Sequence, residues 1–498
     1  MPEITRTAGN DTATAGTRKG KPFGTSLLAA ALLSAACSPT RESLSAPKPI
    51  ALSPCAVAGF DARCGSLAVF EDRAARTGRT ISLNILVLPA TGGAAEPDPI
   101  FYLAGGPGQG ATTLATRAQI DPALRERRDL VYIDQRGTGA SNPLECDLPG
   151  SPDDPQGYLA EVFQVSVMEK CRDRLAARAD VRHYTTAEAA DDLDDVRAAL
   201  GYSRINLMGG SYGTRAALTY MRRHPTSVRS AVLNGVAPPA LRNPLFHARD
   251  SQTALDALFD ECAADVACHT AFPRLREELQ SLLAQLDREP ARVSLRAAGG
   301  GVPAEGRLSR YAFADAIRMM MYRVEGSRRV PLAIHQAARG DFSMIVERAV
   351  DQRRSNARLA HGMLLSTTCQ EDVVRIRDED IPALTAQTFL GPTRVVGQRQ
   401  VCAIWPQNPV PAEGGAPVAS ESPVLLLSGT LDPVTPPRWA EEALKTLPNG
   451  RHLVVPGAHG AGGPCIGRIV RDFIVAGSAR DLDTSCAAGI RLPPFVTR

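Results

Sequence analysis

Short unbroken apolar runs recur along the chain, several of them closed by glycine: Ile100-Phe101-Tyr102-Leu103, Ile205-Asn206-Leu207-Met208, Val232-Leu233-Asn234-Gly235, Val424-Leu425-Leu426-Leu427 and His452-Leu453-Val454-Val455. Runs of this length without polar alternation mark strands covered on both faces, as in a parallel sheet. Helical patterns lie between them over about 187–200, 214–224 and 438–447, so strand and helix alternate as in a doubly wound α/β domain. A long interval from about 238 to 420 interrupts that rhythm. It carries helical patterns at about 253–264, 275–286 and 311–322, with loops at Gly299-Gly300-Gly301 and over the Pro/Gly stretch 406–417. The expected architecture is a mostly parallel sheet with a large, mainly helical insertion ahead of the strand at Val424. A chain of 498 residues with 44% hydrophobic content can bury such a core.

The chemistry lies where the apolar runs end. The second run leads into Gly209-Gly210-Ser211-Tyr212-Gly213 and then a helical pattern. Strand, glycine-flanked turn and helix form a nucleophile elbow, which lifts a serine hydroxyl above the sheet beside a helix N-terminus. The Val424 run delivers Asp432 into a proline-rich loop, and the His452 run leads to Pro456-Gly457-Ala458-His459-Gly460. Ser211, Asp432 and His459 thus follow the order of an α/β-hydrolase triad, each just past the C-terminal end of a strand. In that arrangement His459 takes the serine proton while Asp432 orients its imidazole. His183, His224, His247, His269, His335, His361 and His452 lack a comparable strand-end glycine loop. One oxyanion donor is expected to be the N–H of Tyr212. The other comes from Ala104-Gly105-Gly106-Pro107-Gly108 after the first run, with Gly106 as first candidate and Gly105 as second.

The blocks "LAGGPGQG", "VYIDQRGTGASNPLEC", "LMGGSYGTR", "SGTLDPVTPP" and "PGAHG" together resemble the proline-iminopeptidase and tripeptidyl-aminopeptidase branch of the α/β hydrolases, over about residues 80 to 475. The chain departs from many relatives in having Ala104 where they have histidine. The resemblance implies hydrolysis of peptides from a free N-terminus, without a cofactor. It also implies an anionic group in the cap that binds the substrate ammonium, with Glu371 the first candidate and Asp372 the second. It makes the Asp134-Gln135-Arg136-Gly137 turn a support for the site. The expected division is an export segment over 1–37, a first part of the hydrolase core over 38–237, a cap over 238–420 and the second part of the core over 421–498.

A net charge of +3 with no extended basic block argues against a nucleic-acid partner. The one basic run, Arg18-Lys19-Gly20-Lys21, precedes an apolar stretch too short to span a membrane and then small residues up to Cys37. This is the pattern of an export signal, with Cys37 offered for lipidation and membrane anchoring, or with ordinary cleavage nearby. Of eleven cysteines, ten remain once Cys37 is set aside, and an even number suits an oxidising compartment. The simplest pairing is sequential: Cys55 with Cys64, Cys146 with Cys171, Cys262 with Cys268, Cys369 with Cys402 and Cys465 with Cys486. No cysteine and histidine spacing suggests a metal site. The aspartates at 191, 192, 194 and 195 read as a solvated helix face. Two other functions remain open: an esterase, amidase or lactonase with the same triad, and a non-catalytic surface binding protein.

Overall fold

The computed structural model describes residues 49–57, 59–115, 122–295, 304–409 and 414–498. The export segment with Cys37, the Gly299–Gly301 loop and part of the 406–417 stretch lie outside these residues.

Nine strands make one sheet: β1 (Ser53–Val57), β2 (Phe60–Phe70), β3 (Thr80–Leu88), β4 (Ile100–Leu103), β5 (Leu130–Ile133), β6 (Ile205–Gly210), β7 (Val228–Asn234), β10 (Val424–Gly429) and β11 (Gly450–Val455). Between them in the chain, β8 (Ala291–Leu295) and β9 (Ala304–Leu308) form a separate antiparallel pair. The sheet order is β1-β2-β3-β5-β4-β6-β7-β10-β11. Pairing is antiparallel up to β3–β5 and parallel from β5 through β4 to β11. Strands β5 and β10 are buried along their whole length, which is why they read as unbroken apolar runs. One apolar layer packs on each sheet face, and a third core lies within the helical insertion between β7 and β10. That insertion is the segment expected to form the cap, and is called the cap below. Among the described residues no helix is long and apolar enough to cross a membrane.

Register along the parallel half sets up the site. Leu103 pairs with Gly209, Gly210 with Asn234, Asn234 with Leu427, and Gly429 with Val455. The loops leaving β4, β6, β7, β10 and β11 therefore emerge side by side at the C-terminal edge, where open α/β sheets form their crevices.

The acidic helix Thr186–Ala199 corrects one expectation, because its aspartates are not a solvated face. Asp192 is 1% exposed and takes a bidentate bond from Arg136, at 2.7 and 2.8 Å. Asp191 accepts from Arg223 and Asp194 from Arg197 and Tyr220. Acidic spacing alone does not reveal arginines that arrive from distant segments. Arg136 also donates to the carbonyls of Glu71 and His183, so this turn ties the helix to the antiparallel half of the sheet. Its neighbour Asp134 accepts from Asn84, Thr112 and Ala140, anchoring the segment that follows the β4 loop.

Five disulfides join Cys55 to Cys64, Cys146 to Cys171, Cys262 to Cys268, Cys369 to Cys402 and Cys465 to Cys486. The fourth links the helix His361–Glu371 to the helix Thr393–Ile404.

Candidate active site

Ser211 sits between β6 and the helix Tyr212–Arg223 with φ 55° and ψ −125°, a conformation an L residue adopts only under constraint. The constraints are visible. Its N–H donates to the Asn234 carbonyl at 2.9 Å, and its own carbonyl accepts from the Thr214 N–H and hydroxyl. A Cβ at position 213 would fall 2.1 Å from the Leu103 carbonyl, so only glycine lets the helix start this close to the end of β4.

The β4 loop lies against the serine. A Cβ on Gly105 would stand 3.2 Å from Ser211 Cβ and 3.8 Å from its Oγ. Gly106 has φ +110°, a backbone state glycine tolerates. The cap closes on this loop, since the Ala360 N–H donates to the Gly108 carbonyl at 3.0 Å.

Asp432 and His459 meet across the ends of β10 and β11. His459 Nδ1 lies 3.0 and 2.9 Å from the two carboxylate oxygens of Asp432, which is 1% exposed. The loop turns its donors onto that carboxylate: the N–H groups of Val434 and Thr435 at 2.9 and 2.8 Å, and the Thr435 hydroxyl at 2.7 Å. Burial pushes the Asp432 carboxyl up, but His459 and these donors outweigh it and hold the group below the ordinary carboxylate range.

Three positioning residues were not singled out in the sequence. Thr435 Oγ1 also lies 3.1 Å from His459 Nδ1, bracing the pair. An aspartate whose side chain collects N–H groups two and three residues on is a turn signature that could have drawn attention to it. Asn234 bonds both the N–H and the carbonyl of Ala461, at 2.7 and 2.9 Å, joining the serine turn to the histidine loop. Tyr322 of the cap accepts the His459 N–H on its carbonyl at 3.4 Å and sets its ring 4.9 Å from the imidazole. Thr435→Val removes one hydrogen bond to a charged group, worth about 1.5–3 kcal/mol. We expect kcat to fall roughly 10- to 100-fold with KM little changed, read from steady-state kinetics beside Thr435→Ser, which should restore most of the rate.

Of the two carboxylates expected to bind the substrate ammonium, Asp372 is buried and Glu371 partly exposed. Asp372 is 1% exposed and pairs with Arg215 through both oxygens, at 2.7 and 2.8 Å. Glu371 accepts the Thr186 N–H at 2.6 Å and its hydroxyl at 2.7 Å, capping the start of the Thr186–Ala199 helix. The Thr186 hydroxyl in turn meets the Tyr212 hydroxyl at 2.8 Å. Both carboxylates therefore brace the elbow helix from behind. Asp372 is thus engaged by Arg215, and Glu371 is linked to Tyr212 through Thr186.

His361, at the start of the helix next to Ala360, couples this cover to pH. Burial pushes its imidazole down to about 4, and Nδ1 bonds the Leu359 carbonyl at 2.9 Å. An unfolded chain takes up this proton below about pH 6.5, whereas the folded chain resists until about pH 4. The contribution of His361 to stability is therefore complete above pH 6.5 and lost as pH falls toward 4, by roughly 3 kcal/mol. Melting temperatures from pH 7 to 4.5 should show this slope, and His361→Asn, which keeps a donor, should make it shallower while the buried His247 keeps its share.

Comparison with known proteins identifies the family. The model of the alpha/beta hydrolase fold family matches residues 98–461. The serine protease Hip1 of Mycobacterium tuberculosis is 26% identical over 470 residues, covering 85% of this chain and 87% of its own. The tripeptidyl aminopeptidase of Streptomyces coelicolor is 26% identical over 477 residues, with 85% and 83% covered. Carboxylesterase B of Mycobacterium tuberculosis is 27% identical over 468 residues, with 86% of each chain covered. The chain belongs to the alpha/beta hydrolase fold family and is a serine hydrolase.

Proposed function

We propose that the protein is an exported serine exopeptidase that hydrolyses peptides from a free N-terminus through an acyl-enzyme. The observation that carries this reading is the buried Asp432–His459 pair at the same sheet edge as Ser211 on its strained elbow. Ser211 Oγ attacks the carbonyl carbon as the far nitrogen of His459 takes its proton. Asp432 keeps the proton on Nδ1 and stabilises the imidazolium. The N–H groups of Tyr212 and of Gly106, or of Gly105 beside the serine, receive the oxyanion. His459 then protonates the leaving amine, and water activated by the same histidine releases the acyl group. The tripeptidyl aminopeptidase and Hip1 similarities support a peptide substrate. Five disulfides support an oxidising compartment, and with it export by the segment ending at Cys37, with lipidation there as the proposed anchor. In this reading residues 38–237 and 421–498 build the hydrolase core and 238–420 the cap. Glu371 is the carboxylate proposed to receive the substrate ammonium, and it also holds Tyr212 through Thr186.

The similarity to carboxylesterase B favours a second reading, an esterase with the same catalytic groups. A panel of fluorogenic amides separates the two: free and N-acetylated Pro, Ala and Ala-Ala-Pro, with a short-chain ester beside them. We expect cleavage of the free-amine amides and loss of it on acetylation. Ester cleavage alone, or indifference to acetylation, would overturn the exopeptidase.

A further inference from the structure

Beyond the strand-end loops, the cap encloses a cavity with more positive charge than its own residues neutralise. Its wall includes His247, Tyr311, Asp315, Arg318 and Arg394. A neighbouring cavity shares Tyr311 and Asp315 and adds Arg353. Together these walls hold three arginines and one carboxylate.

That carboxylate is engaged. Asp315 Oδ1 accepts from Arg318 Nε at 2.9 Å and Nη2 at 2.6 Å, while Arg318 Nη1 donates to the Tyr322 hydroxyl at 2.9 Å. Arg394 is different. Among the described residues it has no hydrogen-bond or ion-pair partner, its guanidinium lies over the Phe163 ring at 4.7 Å, and its buried Nε is unsatisfied. Arg353 also leaves Nη1 buried without a partner. His247, 7% exposed, has an unpartnered Nδ1, and burial together with Arg394 and Arg318 holds its ring well below the ordinary imidazole range. It therefore supplies a neutral polar edge rather than another charge.

Protein interiors pair their buried cations and satisfy their buried donors. A concave wall with an unpaired guanidinium fork and orphaned donors is complementary to an anion from outside, and the planar fork suits a carboxylate. Leu245, Leu390 and Val395 in the same wall suit the methylenes that carry one. The cavity is one residue from the candidate base: Tyr322, bonded by Arg318, sets its ring 4.9 Å from that of His459.

We propose that this cavity is a subsite for an anionic group of the peptide substrate, a side-chain or C-terminal carboxylate, with Arg394 as its partner. The identity of the ligand as a peptide rests on the exopeptidase reading.

The test is isothermal titration of Ser211→Ala protein, which binds without turnover. The probes are pentaalanine amides carrying one Glu or one Gln at each position in turn, and pentaalanine as free acid and as amide. We expect at least one acidic peptide to bind tenfold or more tighter than its neutral twin. A Glu/Gln difference assigns the side chain, and an acid/amide difference the C-terminus. That ratio should fall to within twofold of one when Arg394→Gln is added, and Arg394→Lys should keep part of it. No acidic preference at any position, or a preference that survives Arg394→Gln, would overturn the subsite. Turnover of the same peptides by the unsubstituted protein reports separately on the exopeptidase reading. Acidic preference without cleavage would discard the peptidase and keep the anion site.

Discussion

Ser211→Ala is expected to abolish hydrolysis while leaving the fold intact. Serine-triad enzymes lose up to about a millionfold in kcat when the nucleophile is removed, and the remaining binding and oxyanion donors leave a residue of roughly 10³–10⁴ over water. A drop of at least about 10⁴ is therefore expected here. The hydroxyl contributes little to stability: the hydrogen bonds that hold position 211 are made by its backbone, to Asn234 and Thr214. Circular dichroism and the melting temperature should consequently stay close to those of the parent. A variant that keeps activity within tenfold would remove Ser211 from the role of nucleophile, and the acyl-enzyme with it. A variant that loses activity together with its melting transition would say nothing about the chemistry, so the two measurements belong together.

Asp372→Ala should unfold the protein more readily and leave substrate discrimination alone. Arg215 lies on the elbow helix with its side chain 5% exposed, and Asp372 is its carboxylate partner. Removing that partner leaves a cation buried and uncompensated, a loss of about 3–5 kcal/mol in comparable cases. Arg215 also donates to the carbonyls of Pro238 and Leu241, so the strain would spread to the start of the cap. Urea denaturation should show the lower midpoint. The ratio of free-amine to acetylated turnover should not move. If instead the variant folds normally and loses that ratio, Asp372 binds the substrate ammonium after all.

Ser211 and Asp372 stand on opposite sides of what the linear sequence reveals. The positions of Ser211, Asp432 and His459 just past parallel strands were legible, because apolar runs ended by glycine or proline mark such strands even where, as in the edge strand β11, they are only half-buried. The turn that strains Ser211 is local too, set by glycines within two residues of it.

Partner choice was not legible. Arg215 and Asp372 are 157 residues apart, Thr186 and Glu371 185, and Arg136 and Asp192 56. A pair of adjacent acids looks the same in the sequence whether it faces solvent, substrate or a buried arginine. Only the packing of the His361–Glu371 helix set Asp372 against Arg215 and Glu371 against Thr186, and only the fold of the insertion left the buried Arg394 Nε without a hydrogen-bond partner. The sequence by itself determined the parallel strands around the site, the order of the three strand-end groups and the turn chemistry around them, because hydrophobic burial and backbone sterics act over a few residues. The tertiary structure decided which charges are spent internally and which remain for a ligand, because Coulombic pairing depends on distances in space between segments far apart in the chain.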